Sequence, residues 1–167
     1  IMGAVVSVTA GIGCTLPIDP IAFGSSLSLS GLAAGAAAIG CSTQMMGFAA
    51  ASFRENGIGG FLAQGIGTSM LQIPNIIRKP WIWLPTILSS AILGAVSATI
   101  FDLTNSSLGA VMGTTGLYAP MCVLKTMGAD RGAVILLIFF MYIAAPAVLT
   151  YLIAEGMRRI GIIKSGD

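Results

Sequence analysis

Hydrophobic residues run along this chain in long uncharged stretches separated by short polar clusters. They do not alternate as they would in half-buried strands. Residues 1–18, 21–53, 57–77, 82–101, 106–124 and 133–154 include no Lys or Arg and no Asp or Glu. Stretches of this length suit helices that cross a bilayer, which need roughly 20 apolar residues. Three predict spanning helices directly, at about 29–53, 82–101 and 133–154, with Pro146 expected to kink the last. Residues 1–18 predict the remainder of a fourth, closed by Pro17, Asp19 and Pro20, with a short polar-small approach at 21–28 before the next span.

Glycine sorts these stretches further. In 29–53, Gly31, Gly35, Gly40 and Gly47 would let neighbouring helices approach closely, so this helix is expected to be enclosed by protein. Trp81 and Trp83 precede the 82–101 span, where aromatic anchors sit at a membrane surface. The 57–77 stretch carries Gly57, Gly59, Gly60, Gly65, Gly67 and Pro74, and the 106–124 stretch carries Gly109, Gly113, Gly116 and Pro120. Both predict broken or re-entrant segments, because irregular backbone at membrane depth is tolerated only where protein or a watery cavity surrounds it. The expected fold is an all-α integral membrane protein with about four membrane helices plus two glycine-broken re-entrant segments. It forms a single transmembrane domain over 1–167, part of a larger transporter-like module.

Charge placement orients that path. If both broken segments leave on the side they entered, Arg54, Arg78, Lys79, Arg158, Arg159 and Lys164 share one face. Lys125 and Arg131 lie opposite, which accounts for all 8 basic residues. The richer face is then cytoplasmic.

Composition supports lipid as solvent. Only 8% of residues are charged, against roughly 25% in a soluble domain. The absence of histidine removes the commonest metal ligand, the usual general base and any phosphohistidine site within these residues. Cys14, Cys41 and Cys122 form no C-x-x-C pair, so no zinc or dithiol centre is indicated, and all three read as buried thiols. The net charge of +2 is scattered, which excludes a nucleic-acid face. The start Ile-Met-Gly has no charged n-region and reads as the interior of a longer protein. Asn105-Ser106-Ser107 matches a glycosylation pattern by three residues only.

Two short motifs recur. Gly67-Thr68-Ser69-Met70-Leu71 and Gly113-Thr114-Thr115-Gly116-Leu117 each lie in a broken segment with a proline soon after. A shorter echo links Ile12-Gly13-Cys14-Thr15 to Ile39-Gly40-Cys41-Ser42. Paired interrupted segments point to a solute site, since unwound backbone and half-helix ends supply free N–H and C=O groups. The alternative is close packing around glycine.

Gln64, Thr68, Ser69, Gln72 and Asn75 add neutral donors and acceptors that suit the hydroxyls of a sugar or polyol. In lipid they must be paired somehow, and stitching helices together is the competing role. Gln44, and Thr114 and Thr115 in the second motif, are candidates for the same cavity. Arg54 and Glu55 read as a coupling or structural pair at the interface. No catalytic, cofactor-binding or metal-binding residue is indicated.

The block CSTQMMGFAAASFRENGIGGFLAQGIGTSMLQIPNIIRKPWIWLPTILSSAILGAVSATIF, residues 41–101, together with GAVMGTTGL, residues 109–117, resembles the bacterial phosphotransferase-system component IIC-like sugar permeases. The relatives of that family include membrane regulators of toxin genes of the perfringolysin-regulator type. The resemblance implies a multi-pass protein of the bacterial inner membrane with a module roughly twice this length. This chain then looks like about half of it, completed by a missing half or by a homo-oligomer. It also implies a small neutral solute such as a sugar and a cytoplasmic phosphoryl-donor protein as partners. What maps from the family is the FRENG turn, Phe53 to Gly57, and the two glycine motifs. Three functions stay open: a permease component for a small polar solute, a ligand-sensing membrane regulator without transport, and a scaffold in which the glycines only pack.

Overall fold

The computed structural model describes residues 2–16, 30–127 and 131–163, with Arg131 by its backbone alone. The 21–28 approach, Asp19 and Lys164 lie outside the described residues. The described residues are helical, with one isolated bridge, Gly31 to Asn105, in place of any sheet. In chain order the helices are α1 (Met2–Thr15), α2 (Gly31–Ala51), α3 (Phe53–Leu62), α4 (Ile73–Arg78) and α5 (Leu84–Thr99). They continue with α6 (Ser107–Met112), α7 (Tyr118–Met127), α8 (Arg131–Ile138) and α9 (Ala145–Ile160).

Among the described residues, three helical stretches are long and apolar enough to cross a membrane: Gly31–Ala51, Pro80–Thr99 and Gly132–Ile160. They correspond to the three spans expected from the sequence. The expected fourth is the shorter apolar helix α1, with 14 residues. The protein is thus a multi-pass helical membrane protein.

Helix α2 is the centre, packed on by α1, α5, α6 and α9. Of its most apolar window 89% is buried, against 28% for the Gly132–Ile160 helix. Composition explains the difference. Lipid tails are as apolar as leucine, so helices associate in lipid by close van der Waals approach rather than by hiding from water. Glycine permits that approach. A Cβ on Gly40 would run into the Ser7 carbonyl of α1, and one on Gly35 into the Leu103 carbonyl. Gly47 lies against the Thr150 hydroxyl of α9, where a Cβ would come within 2.7 Å. Gly31 makes no such contact and starts the helix in open space.

Cys14 and Cys41 are joined in a disulfide across α1 and α2, with Cα atoms 5.7 Å apart. The expectation of three buried thiols holds only for Cys122, which is free and buried. The close approach at Gly40 is what brings the two sulfurs together. The Ile-Gly-Cys echo is therefore the two sides of one helix contact.

Pro146 falls within the last long helix, Gly132–Ile160. The helix passes through a π-helical turn, Phe139–Ala144, just before it. The proline has no N–H to offer the carbonyls of that turn. Ser42 Oγ of α2 donates to the Tyr142 carbonyl at 2.7 Å. Asn105 is buried and donates through Nδ2 to the Tyr142 hydroxyl at 3.2 Å. Burial excludes it as a glycan acceptor.

Candidate functional site

Both glycine-rich stretches are interrupted. After α3 the chain makes a π-helical turn, Ala63–Gly67, passes through Thr68 in extended conformation (φ −156, ψ 141), and makes a 3-10 turn, Ser69–Gln72, before α4. After α6 it breaks at Gly113, with φ 52, and makes a 3-10 turn, Thr115–Leu117, before α7. Gly113 needs its lack of a side chain twice over. Its φ disfavours L-residues, and a Cβ there would lie 2.9 Å from Cys41 Cβ.

The two breaks meet. Thr114 Oγ1 donates to the Gly65 carbonyl at 2.5 Å, tying the second break to the π turn of the first. Thr115 Oγ1 donates to Met45 Sδ of α2 at 3.4 Å. Ser69 Oγ donates to the Cys14 carbonyl of α1 at 3.3 Å. Thr68 Oγ1 accepts from the Met70 N–H at 3.2 Å and caps the 3-10 turn. Between these elements lies a cavity of about 140 Å³, lined by Gly67, Thr68, Ser69 and Thr115 together with sulfur-bearing Met45 and Met70. A cavity of ~150 Å³ takes one benzene ring, so the chamber has room for a single six-membered ring and not for two.

The expected site residues divide by position. Thr68, Ser69 and Thr115 line the chamber, and Thr114 holds its two walls together. Gln44 does not line it. Its Oε1 accepts from Trp83 Nε1 at 3.1 Å, and its buried Nε2 has no partner. Adjacent helix positions differ by about 100°, so Met45 faces the chamber while Gln44 faces away. Gln72 Oε1 accepts from Asn75 Nδ2 at 2.9 Å. Gln72 instead lines a water-sized cavity of about 30 Å³ with Ser52, Glu55 and Arg158. Gln64 Oε1 lies 3.2 Å from Ser52 Oγ. Cys14, Met45, Met70, Val111 and Met112 also line the chamber and were not foreseen. The one signal that could have found the α2 side is Cys41 to Met45, one turn apart on a single face.

Arg54 and Glu55 do not pair with each other. Arg54 Nη1 lies 3.3 Å from Glu155 Oε2, and Arg158 Nη2 lies 3.5 Å from Glu55 Oε1. Arg158 Nη2 also donates to the Ala51 carbonyl at 2.9 Å. The two pairs cross between the FRENG turn and the end of α9, clamping the turn to that helix. Glu155 is one of the four charged groups of this clamp.

A bundle of apolar helices around a glycine-lined core, with two interrupted segments meeting at a chamber, defines a multi-pass helical membrane protein. The family model described as "Phosphotransferase system, EIIC" matches residues 1–167. The chain belongs to this family and is a membrane transport protein of the phosphotransferase-system kind. No curated protein and no solved structure gives a significant match.

Proposed function

We propose that the chain is a permease component for a small polar solute, a sugar, held in the chamber between the two broken segments. The meeting of those segments around a ring-sized cavity supports this reading most directly. The hydroxyls of Thr68, Ser69 and Thr115, with the irregular backbone beside Gly67, offer donors and acceptors without charge, as a neutral polyol requires. Met45 and Met70 supply adaptable apolar surface for the faces of a sugar ring. Gln44, Gln64, Gln72 and Asn75 stitch helices in this reading, since the partners found for them are protein side chains.

Passage requires the two walls to part, and the Thr114 hydrogen bond to the Gly65 carbonyl is the latch that would open. Phosphoryl transfer would come from a cytoplasmic donor protein, as the family's sugar permeases imply. We place the protein in the bacterial inner membrane and take the chain as about half of a functional module, completed by a second half or a second copy.

Counterflow of radiolabelled hexoses in proteoliposomes tests this reading. Saturable exchange, weakened by Thr115→Val and Ser69→Ala, supports it. Saturable binding without flux makes the protein a sensor, the regulator reading. Neither binding nor flux for any hexose removes the sugar.

A further inference from the structure

We propose that the outer face of α9 is a binding site for one anionic phospholipid, with its phosphate at Arg159 and Arg54 and its two acyl chains astride the Val148–Leu152 ridge. Two open apolar grooves flank that ridge and share both residues. One, of about 430 Å³, runs along Phe53, Phe61, Ala147 and Tyr151. The other, of about 310 Å³, runs along Leu93, Phe140, Ala144 and Leu149. Val148 and Leu152 are one helical turn apart and both are exposed. Two parallel grooves separated by a narrow ridge fit the two chains of one diacyl lipid.

Charge lies at one end of these grooves. Positions 148, 152, 155 and 159 follow one another on a single helical stripe, so the exposed Arg159 stands above Leu152. At 1.5 Å per residue Leu152 and Val148 lie about 10.5 and 16.5 Å from Arg159 along the axis, comparable to the depth of one leaflet, roughly 15 Å. Arg54 forms part of the first groove's wall, its guanidinium 5.7 Å from the centre of the Tyr151 ring. Arg54 and Arg158 are each matched by a carboxylate, Glu155 and Glu55. Arg159 enters no ion pair among the described residues, so the rim keeps a positive charge for an anionic headgroup.

Residue size argues for lipid over another helix. The closest helix contacts of α2 fall at glycines, Gly40 on α1 and Gly47 on α9, whereas this face is Val148, Leu152, Phe139 and Phe140, exposed and too bulky for such close backbone approach.

The test is native mass spectrometry of the full chain in detergent, titrated with dioleoyl phosphatidylglycerol or dioleoyl phosphatidylcholine. Phosphatidylglycerol should be retained at roughly fivefold lower concentration, about the effect of one basic residue. Arg159→Gln should erase that preference without abolishing chain binding. Ala147→Trp, which fills one groove, should weaken retention of both lipids, with circular dichroism confirming the fold. Equal retention of the two lipids by the unaltered chain overturns the site, as does a preference that survives Arg159→Gln. Efficient disulfide dimerisation of Val148→Cys in membranes overturns it too, by placing a second copy on the ridge.

Discussion

Ser42 Oγ donates to the carbonyl of Tyr142 at 2.7 Å, within the π-helical turn that precedes Pro146. A serine of the most enclosed long helix thus bonds the irregular turn beside a proline in the least buried one. This ties the α8–α9 helix to α2 at one register, and with it the wall of grooves and the crossed ion pairs at the interface.

Removing that serine should therefore cost more than its size suggests. Ser42→Ala removes a buried hydrogen bond between two helices and is expected to destabilise by about 0.5–1.5 kcal/mol. Pro146→Ala restores an N–H to the helix, so the serine should matter less in that background. A double-mutant cycle on denaturant unfolding in detergent checks this. Additive effects of the two substitutions would disconnect the residues.

Glycines with similar local sequence should differ sharply. Gly40→Ala drives a methyl into the Ser7 carbonyl and should cost about 1–3 kcal/mol or more by forcing α1 from α2. Gly59 has nothing within 4 Å of an added Cβ, so Gly59→Ala should be neutral or stabilise by up to about 1 kcal/mol. Thermal unfolding of the two variants side by side gives the comparison. Equal losses would mean the α1–α2 contact is not as close as described.

The two crossed ion pairs are unequal. The Arg54 side chain is 58% exposed, whereas that of Arg158 is 14% exposed and also holds the Ala51 carbonyl. Arg54→Gln should cost below about 1 kcal/mol and its effect should fade at high salt. Arg158→Gln should cost about 1.5–3 kcal/mol with little salt dependence, as loss of a charged, largely buried hydrogen bond does. Unfolding at low and high salt separates them. A larger, salt-sensitive loss at Arg54 would reverse the assignment.

Peptide mapping checks the cysteines. Under non-reducing digestion Cys14 and Cys41 should appear in one linked peptide pair. Cys122 should alkylate only after denaturation, since it is buried. Rapid alkylation of Cys41 in the folded, unreduced protein would deny the link.

Much of the fold is legible in the sequence, for a physical reason. Charge is so costly in lipid that uncharged stretches of the right length can hardly be anything else, and 31–51, 80–99 and 132–160 followed. The interruptions followed from glycine and proline, which weaken a helix wherever they cluster. What was not legible depends on rotation and on distance across the bundle. Gln44 and Met45 are neighbours in the chain, yet one turns to Trp83 and the other to the chamber. Glycine spacing suggested close packing on Gly31, but the tight approaches fall at Gly35, Gly40 and Gly47. The cysteines at 14 and 41 read as separate buried thiols because nothing local reveals that α1 and α2 touch there. The sequence neighbours Arg54 and Glu55 suggested a pair, whereas the helix end brought Glu155 and Arg158 between them.

The most direct test of the central claim is whether solute shields the chamber wall. In a Cys122→Ser background, Thr115→Cys, Ser69→Cys and Gly59→Cys are alkylated with a small maleimide, with and without a panel of hexoses. An accepted hexose should slow labelling at 115 and 69, by roughly the fraction of sites occupied, and leave 59 unchanged. Labelling that no hexose slows at 115 and 69, or that one slows equally at 59, would contradict a solute site between the broken segments.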